Sequence, residues 1–110
     1  MKIAVASRDG RIINQHFGHA ERFLIYEADE CGIRFLEERG VEKYCSENPE
    51  HLYNPERTKK IFDALMDCSA LLVSRIGTIP EKELEKVGIT TFILCDYIEE
   101  GIKTVLSGVR

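Results

Sequence analysis

Two short, unbroken apolar runs constrain this chain more than any other feature. Ile3, Ala4, Val5 and Ala6 form the first, and Ala70 to Val73 form the second. An apolar run of strand length, without polar alternation, suits a strand covered on both faces. Each run stops in polar residues: Ser7, Arg8 and the turn-forming Asp9-Gly10 pair after the first, Ser74, Arg75, Ile76 and Gly77 after the second. These strands, spanning 2–7 and 70–74, belong side by side at the centre of a sheet. If they are parallel, their turns open at one edge, where ligands of open α/β sheets bind.

The remaining elements follow from the pattern around these two. Phe23 to Tyr26 reads as a second strand, and residues 33–39 as a third, antiparallel to it and at an edge. Residues 40–54 show no period and predict a connection more mobile than the strands, above all from Gly40 to Glu50. A helix opens at Asn54-Pro55 and sets Ile61, Phe62, Leu65 and Met66 on one face. Thr78 and Glu81 form a capping box for a second helix, with Leu84 and Val87 inward and Gly88 ending it. Thr91 to Leu94 is a fifth strand. Asp96 and Glu99 cap a last helix bearing Ile98, Ile102, Val105 and Leu106, and Gly108 stops it. The second half is therefore β-α-β-α, and its strands are parallel neighbours. The expected fold class is α/β: residues 1–110 as a single domain built on a five-stranded mixed sheet with flanking helices.

Charge and composition exclude whole classes of function. The chain of 110 residues carries 15 basic and 19 acidic residues, a formal charge of −4. That excludes a duplex nucleic-acid binder, whose affinity depends on neutralising phosphates. No stretch approaches the ~18 apolar residues of a membrane span. The N-terminus turns polar too early for a signal peptide. The expectation is a cytoplasmic domain without nucleic-acid or membrane partners, a monomer or weak homodimer.

Four cysteines, Cys31, Cys45, Cys68 and Cys95, include no C-x-x-C pair, so a zinc knuckle or a self-contained ferredoxin site is not expected. Cys68 and Cys95 close a helical and a strand pattern and read as small core residues. Cys31 lies in an exposed turn. Cys45 lies in the long polar connection, where a thiol is reachable. Arg75 precedes a helix start at which Gly77 and Thr78 offer unpaired N–H groups, an anion-favouring corner. His16, in the loop leaving the first strand, reads from its surroundings either as a turn histidine or as a ligand. His19 and His51 carry no sign of a ligand role.

Asp9-Gly10, then His16-Phe17-Gly18, Ala20 and Phe23, resemble the H-F-G-x-A-x-x-F opening motif of the dinitrogenase iron–molybdenum cofactor biosynthesis proteins. These are the NifX type, which also forms the C-terminal domain of NifB. Tyr44-Cys45 is similar to the family's Y-C pair, and Ser74-Arg75-Ile76-Gly77 with Pro80 and Leu84 to its second-half signature. The resemblance implies a ribonuclease-H-like fold with sheet order 3-2-1-4-5. It also implies a non-enzymatic carrier of an iron–sulfur cluster or iron–molybdenum cofactor precursor, bound transiently between donor and acceptor proteins of cofactor assembly. Carried over to matching positions, it selects His16, Cys45 and Arg75; His16 and Cys45 would contact the metal. His19 falls on the motif's variable position. A carrier must release its cargo, so one or two imidazole or thiolate ligands plus electrostatic contacts suit the task. A small-anion or partner-binding module without a cluster is the alternative, with the Arg75 to Thr78 corner as its whole site. A ribonuclease-H-like nuclease would need convergent carboxylates. Asp9 stands alone at the first turn, and Asp67 and Asp96 read as helix-end residues.

Overall fold

The computed structural model describes residues 1–40 and 55–107, apart from the side chains of residues 19 and 55–58. Element order is β1 (Lys2–Val5), a 3-10 turn (Phe17–His19), β2 (Arg22–Asp29), β3 (Gly32–Gly40), α1 (Pro55–Leu65), β4 (Ala70–Val73), α2 (Thr78–Lys86), β5 (Thr90–Ile93) and α3 (Ile98–Ser107). The five strands form one sheet in the order β3-β2-β1-β4-β5. β1 pairs with β4 in parallel, Ala4 opposite Leu71, and with β2 antiparallel, Ala4 opposite Ile25. The two apolar runs thus lie where the sequence places them, at the centre, and β3 lies at an edge.

Alternation along the central strands divides the core into two halves. Ala4, Ile25, Leu71 and Val73 face one side with Ile61 and Leu65 of α1 and Leu84 of α2. Ile3, Val5, Leu24 and Leu72 face the other, against Ile98 and Ile102 of α3. Ile3, Leu71, Leu72 and Ile102 have no exposed surface. Complete burial of each such side chain is worth about 1.5–3 kcal/mol. The β2–β3 hairpin turns at Asp29, whose Oδ1 accepts the N–H groups of Cys31 and Gly32 at 2.8 and 3.2 Å. No helix among the described residues is long and apolar enough to cross a membrane.

Several local expectations need correction. Thr78 is the first helical residue of α2, and Gly77 is its cap, with no side-chain capping bond. The Glu81 N–H reaches the Gly77 carbonyl at 3.2 Å, so the helix opens one residue before the expected capping box. Its other end holds: Gly88 takes φ +87, left-handed backbone that glycine adopts without strain. At α3, the Asp96 carboxylate accepts the Tyr97 N–H at 2.7 Å, one residue before the helix, so its bond lies ahead of the first turn. Met66 and Val87 are exposed, each just past the end of its helix, and Leu106 in the last turn of α3 is exposed too. Cys95 is exposed because β5 already ends at Ile93; Cys68 is buried and Cys31 exposed, as expected. Gly108 and the connection holding Tyr44 and Cys45 lie outside the described residues, so the expected mobility there does too.

Candidate functional site

The loop between β1 and β2 is built around two short side chains. Ser7 is 3% exposed; its hydroxyl donates to the Ile12 carbonyl and accepts the Gly10 N–H at 3.0 Å. Asp9 Oδ1 accepts the N–H groups of Arg11 and Ile12 at 2.9 and 3.1 Å. These backbone donors hold the Asp9 carboxyl below the usual carboxylate range. The same bonds occupy Asp9 with its own loop. Gly10, at φ +77, completes the reversal.

Further along, the loop is stitched to two other turns. On one side, Ile13 N–H donates to the Asp96 carbonyl at 2.8 Å and Ile98 N–H to the Arg11 carbonyl at 2.9 Å. On the other, Ser74 N–H donates to the Gln15 carbonyl at 3.1 Å and Phe17 N–H to the Arg75 carbonyl at 2.8 Å. His16 and Arg75 are therefore paired by a parallel bridge just beyond the carboxyl ends of β1 and β4. The turns after the two apolar runs do meet.

The H-F-G-x-A-x-x-F pattern now has a physical account. Phe17, Ala20 and Phe23 are buried at 0–1% exposure, and the two rings pack with centroids 6.1 Å apart. Gly18 is buried as well, whereas His16 is exposed. The apolar motif residues are anchors that leave the imidazole at the surface. In the second half, Pro80 and Leu84 are the buried anchors of α2, while Arg75, Gly77 and Thr78 are exposed at its start.

His16 also lines an open polar cleft of about 550 Å³, together with Arg8, Asn14, Gln15, Glu21 and Arg22. Arg8 N–H donates to Asn14 Oδ1 at 2.8 Å, and Arg8 Nε to Gln15 Oε1 at 3.1 Å. Arg22 Nη2 donates to the Arg8 carbonyl at 3.0 Å. Arg75, Gly77 and Thr78 lie off this lining. The structure thus brings His16 beside Arg75 and adds Arg8, Asn14 and Arg22, which sequence reasoning missed. The available signal was positional: Arg8 follows β1 directly and Arg22 opens β2. Cys45 lies outside the described residues. Among those described, no three His, Cys, Asp or Glu side chains converge as a metal site. A ligand at this edge meets imidazole, amide and guanidinium groups, a donor set suited to an anion.

The family model for the dinitrogenase iron-molybdenum cofactor matches residues 1–108. The chain belongs to the dinitrogenase iron-molybdenum cofactor family. It is 44% identical over 87 residues to the FeMo cofactor biosynthesis protein NifB of Azotobacter vinelandii, covering 79% of this chain and 17% of that protein. It is 34% identical over 103 residues to NifB of Frankia alni, covering 94% of this chain and 20% of the relative. The chain thus spans about a fifth of the length of these relatives. Among solved structures, PH0822 shares the fold with a TM-score of 0.70 and 18% identity, covering 99% of this chain and 93% of the other.

Proposed function

We propose that this domain is a non-enzymatic carrier that holds an iron–sulfur cluster or iron–molybdenum cofactor precursor between donor and acceptor proteins of cofactor assembly. One observation carries the reading: an exposed imidazole, His16, is pinned by backbone hydrogen bonds beside Arg75 at the carboxyl edge of the two central strands. In this reading His16 is the principal iron ligand and Cys45 a second, dispensable one. Arg75 and the N–H groups of Gly77 and Thr78 attract the cargo's negative charge. Few metal ligands keep the cargo exchangeable. Its setting is the cytoplasm, its state a monomer or weak homodimer, and its fold class ribonuclease-H-like.

The test is anaerobic loading from an extracted cofactor or from iron and sulfide, followed by a sizing column. Wild type retains the cargo, His16→Ala loses it, and Cys45→Ala releases it faster, with far-UV circular dichroism and thermal midpoint unchanged. A folded His16→Ala protein that keeps a full complement of cofactor overturns the ligand assignment. The second reading is a small-anion or partner-binding module without a cluster, with the exposed Arg75 to Thr78 corner as its site. It becomes the better one if wild type takes up no cofactor.

A further inference from the structure

The cleft beside His16 has a one-sided chemistry. Arg8 lines it, and no carboxylate among the described residues lies within ion-pair distance of Arg8. Arg22 lines it too. Its one ion pair among the described residues, Nη1 to Glu38 Oε1, is 3.4 Å long between side chains 44% and 49% exposed, so water screens it. Asn14 commits its oxygen to the Arg8 N–H at 2.8 Å, which leaves its NH₂ group as the donor for the cleft. Among the described residues, Glu21 is the one carboxylate on the lining. At about 550 Å³, the space falls within the roughly 300–1,000 Å³ typical of small-molecule sites.

We propose that this cleft is an anion subsite in which Arg8 and Arg22 hold the charged periphery of a ligand whose metal His16 takes. The ligand class is a multiply charged anion bearing carboxylate, phosphate or sulfide groups. Guanidinium forks match such groups with paired hydrogen bonds. Arg22 does double duty, since its Nη2 also fixes the Arg8 carbonyl at 3.0 Å and with it the start of the loop. The subsite is separate from the Arg75 corner, which lies off the lining. It rests on the carrier reading for the metal contact at His16 and for the identity of the cargo.

The experiment has two arms. In the first, metal-free protein is titrated with inorganic pyrophosphate at about 10 mM ionic strength, where surface charges act over ~30 Å. Amide shifts of Arg8, Asn14 and His16 report saturation. Arg8→Gln weakens binding by about tenfold or more, as expected for loss of a charge-assisted contact. Arg8→Lys, which keeps the charge but not the fork, falls between Arg8→Gln and wild type, a graded response that a merely structural loss does not give. Absence of saturable binding to wild type, or wild-type affinity in a folded Arg8→Gln protein, overturns the subsite. In the second arm, anaerobic uptake of a synthetic iron–sulfur thiolate cluster falls in Arg8→Gln. If pyrophosphate binds through Arg8 but no cluster is taken up, the subsite stands and the carrier function fails. If wild type and Arg8→Gln take up cluster equally, the carrier stands and the subsite fails.

Discussion

Ile13 and Gly101 compete for one volume: a Cβ placed on Gly101 would lie 2.5 Å from Ile13 Cδ1. Leu72 and Leu94 methyl groups close the same space at 3.3 Å. Helix α3 therefore packs its backbone directly against the loop that leads to His16, and only a glycine permits the approach. Gly101→Ala would gain about 1 kcal/mol of helix propensity and lose about 1–3 kcal/mol to overpacking of a closed core. Net destabilisation of about 1 kcal/mol is expected in urea unfolding. A stabilised variant would show that Ile13 swings clear at no cost.

Arg75→Ala should weaken ligand binding far more than folding. The loop docks on the Arg75 carbonyl, which the substitution keeps, and the side chain is exposed. A stability change within about 0.5 kcal/mol is expected for such a surface site. Loss of a charge-assisted contact costs on the order of 1.5–3 kcal/mol of binding. Equal affinity of mutant and wild type for an anionic ligand at low ionic strength removes Arg75 from the site.

Thiol reactivity should divide by burial. Burial pushes the Cys68 thiol up to about 11, and its residue is 5% exposed. Cys31 and Cys95 are exposed. In a Cys45→Ser background at mildly alkaline pH, a disulfide reagent should label Cys31 and Cys95 quickly and Cys68 only after denaturant is added. Fast labelling of Cys68 in the native protein contradicts its place in the core.

Acid should loosen the edge of the sheet through Asp67. Its carboxylate accepts Arg39 Nη1 and Nη2 at 2.6 and 2.9 Å and Lys2 Nζ at 3.0 Å. Hydrogen bonds from Arg39 first, and Lys2 second, hold its titration well below the usual carboxylate value of 3.8. A carboxyl depressed in the folded state stabilises fully above its unfolded value, and the contribution drains away as pH falls through and below it. The side chain is 43% exposed, so solvent screening keeps the effect modest, within about 0.2–1 kcal/mol. The thermal midpoint of Asp67→Asn should fall less than that of wild type between neutral and strongly acidic pH. Parallel losses in the two proteins remove Asp67 from the acid response.

What the sequence revealed depended on range. Ile3 to Ala6 and Ala70 to Val73 announced two doubly buried strands, because burial on both faces leaves no polar position in either run. Their place side by side at the centre followed from that double burial; that they run parallel stood only as a condition, which the pairing of β1 with β4 meets, and with it His16 meets Arg75. Boundaries read less well. Thr78 looked like a cap because a threonine three residues before a glutamate is the usual signature, yet the Gly77 carbonyl already receives the first helical bond. Val87 and Met66 satisfied a helical period without facing the sheet. Arg8, Asn14 and Arg22 were illegible for another reason: each is an ordinary polar residue near a strand end. Only the folded loop, with the Asn14 side chain under the Arg8 N–H and Arg22 under the Arg8 carbonyl, makes them one wall.

The pairing of His16 with Arg75 also sets an order of events during synthesis. His16 leaves the ribosome early, but the Ser74 N–H and Arg75 carbonyl that seat its loop are made much later, after β2, β3 and α1. Contacts between distant parts of a chain form late, because a long loop must close first. A nascent or truncated chain ending before β4 can hold the β2–β3 hairpin but lacks the Ser74 N–H and Arg75 carbonyl that seat the loop of His16. The seat of the imidazole is thus completed only when the second half of the fold is in place.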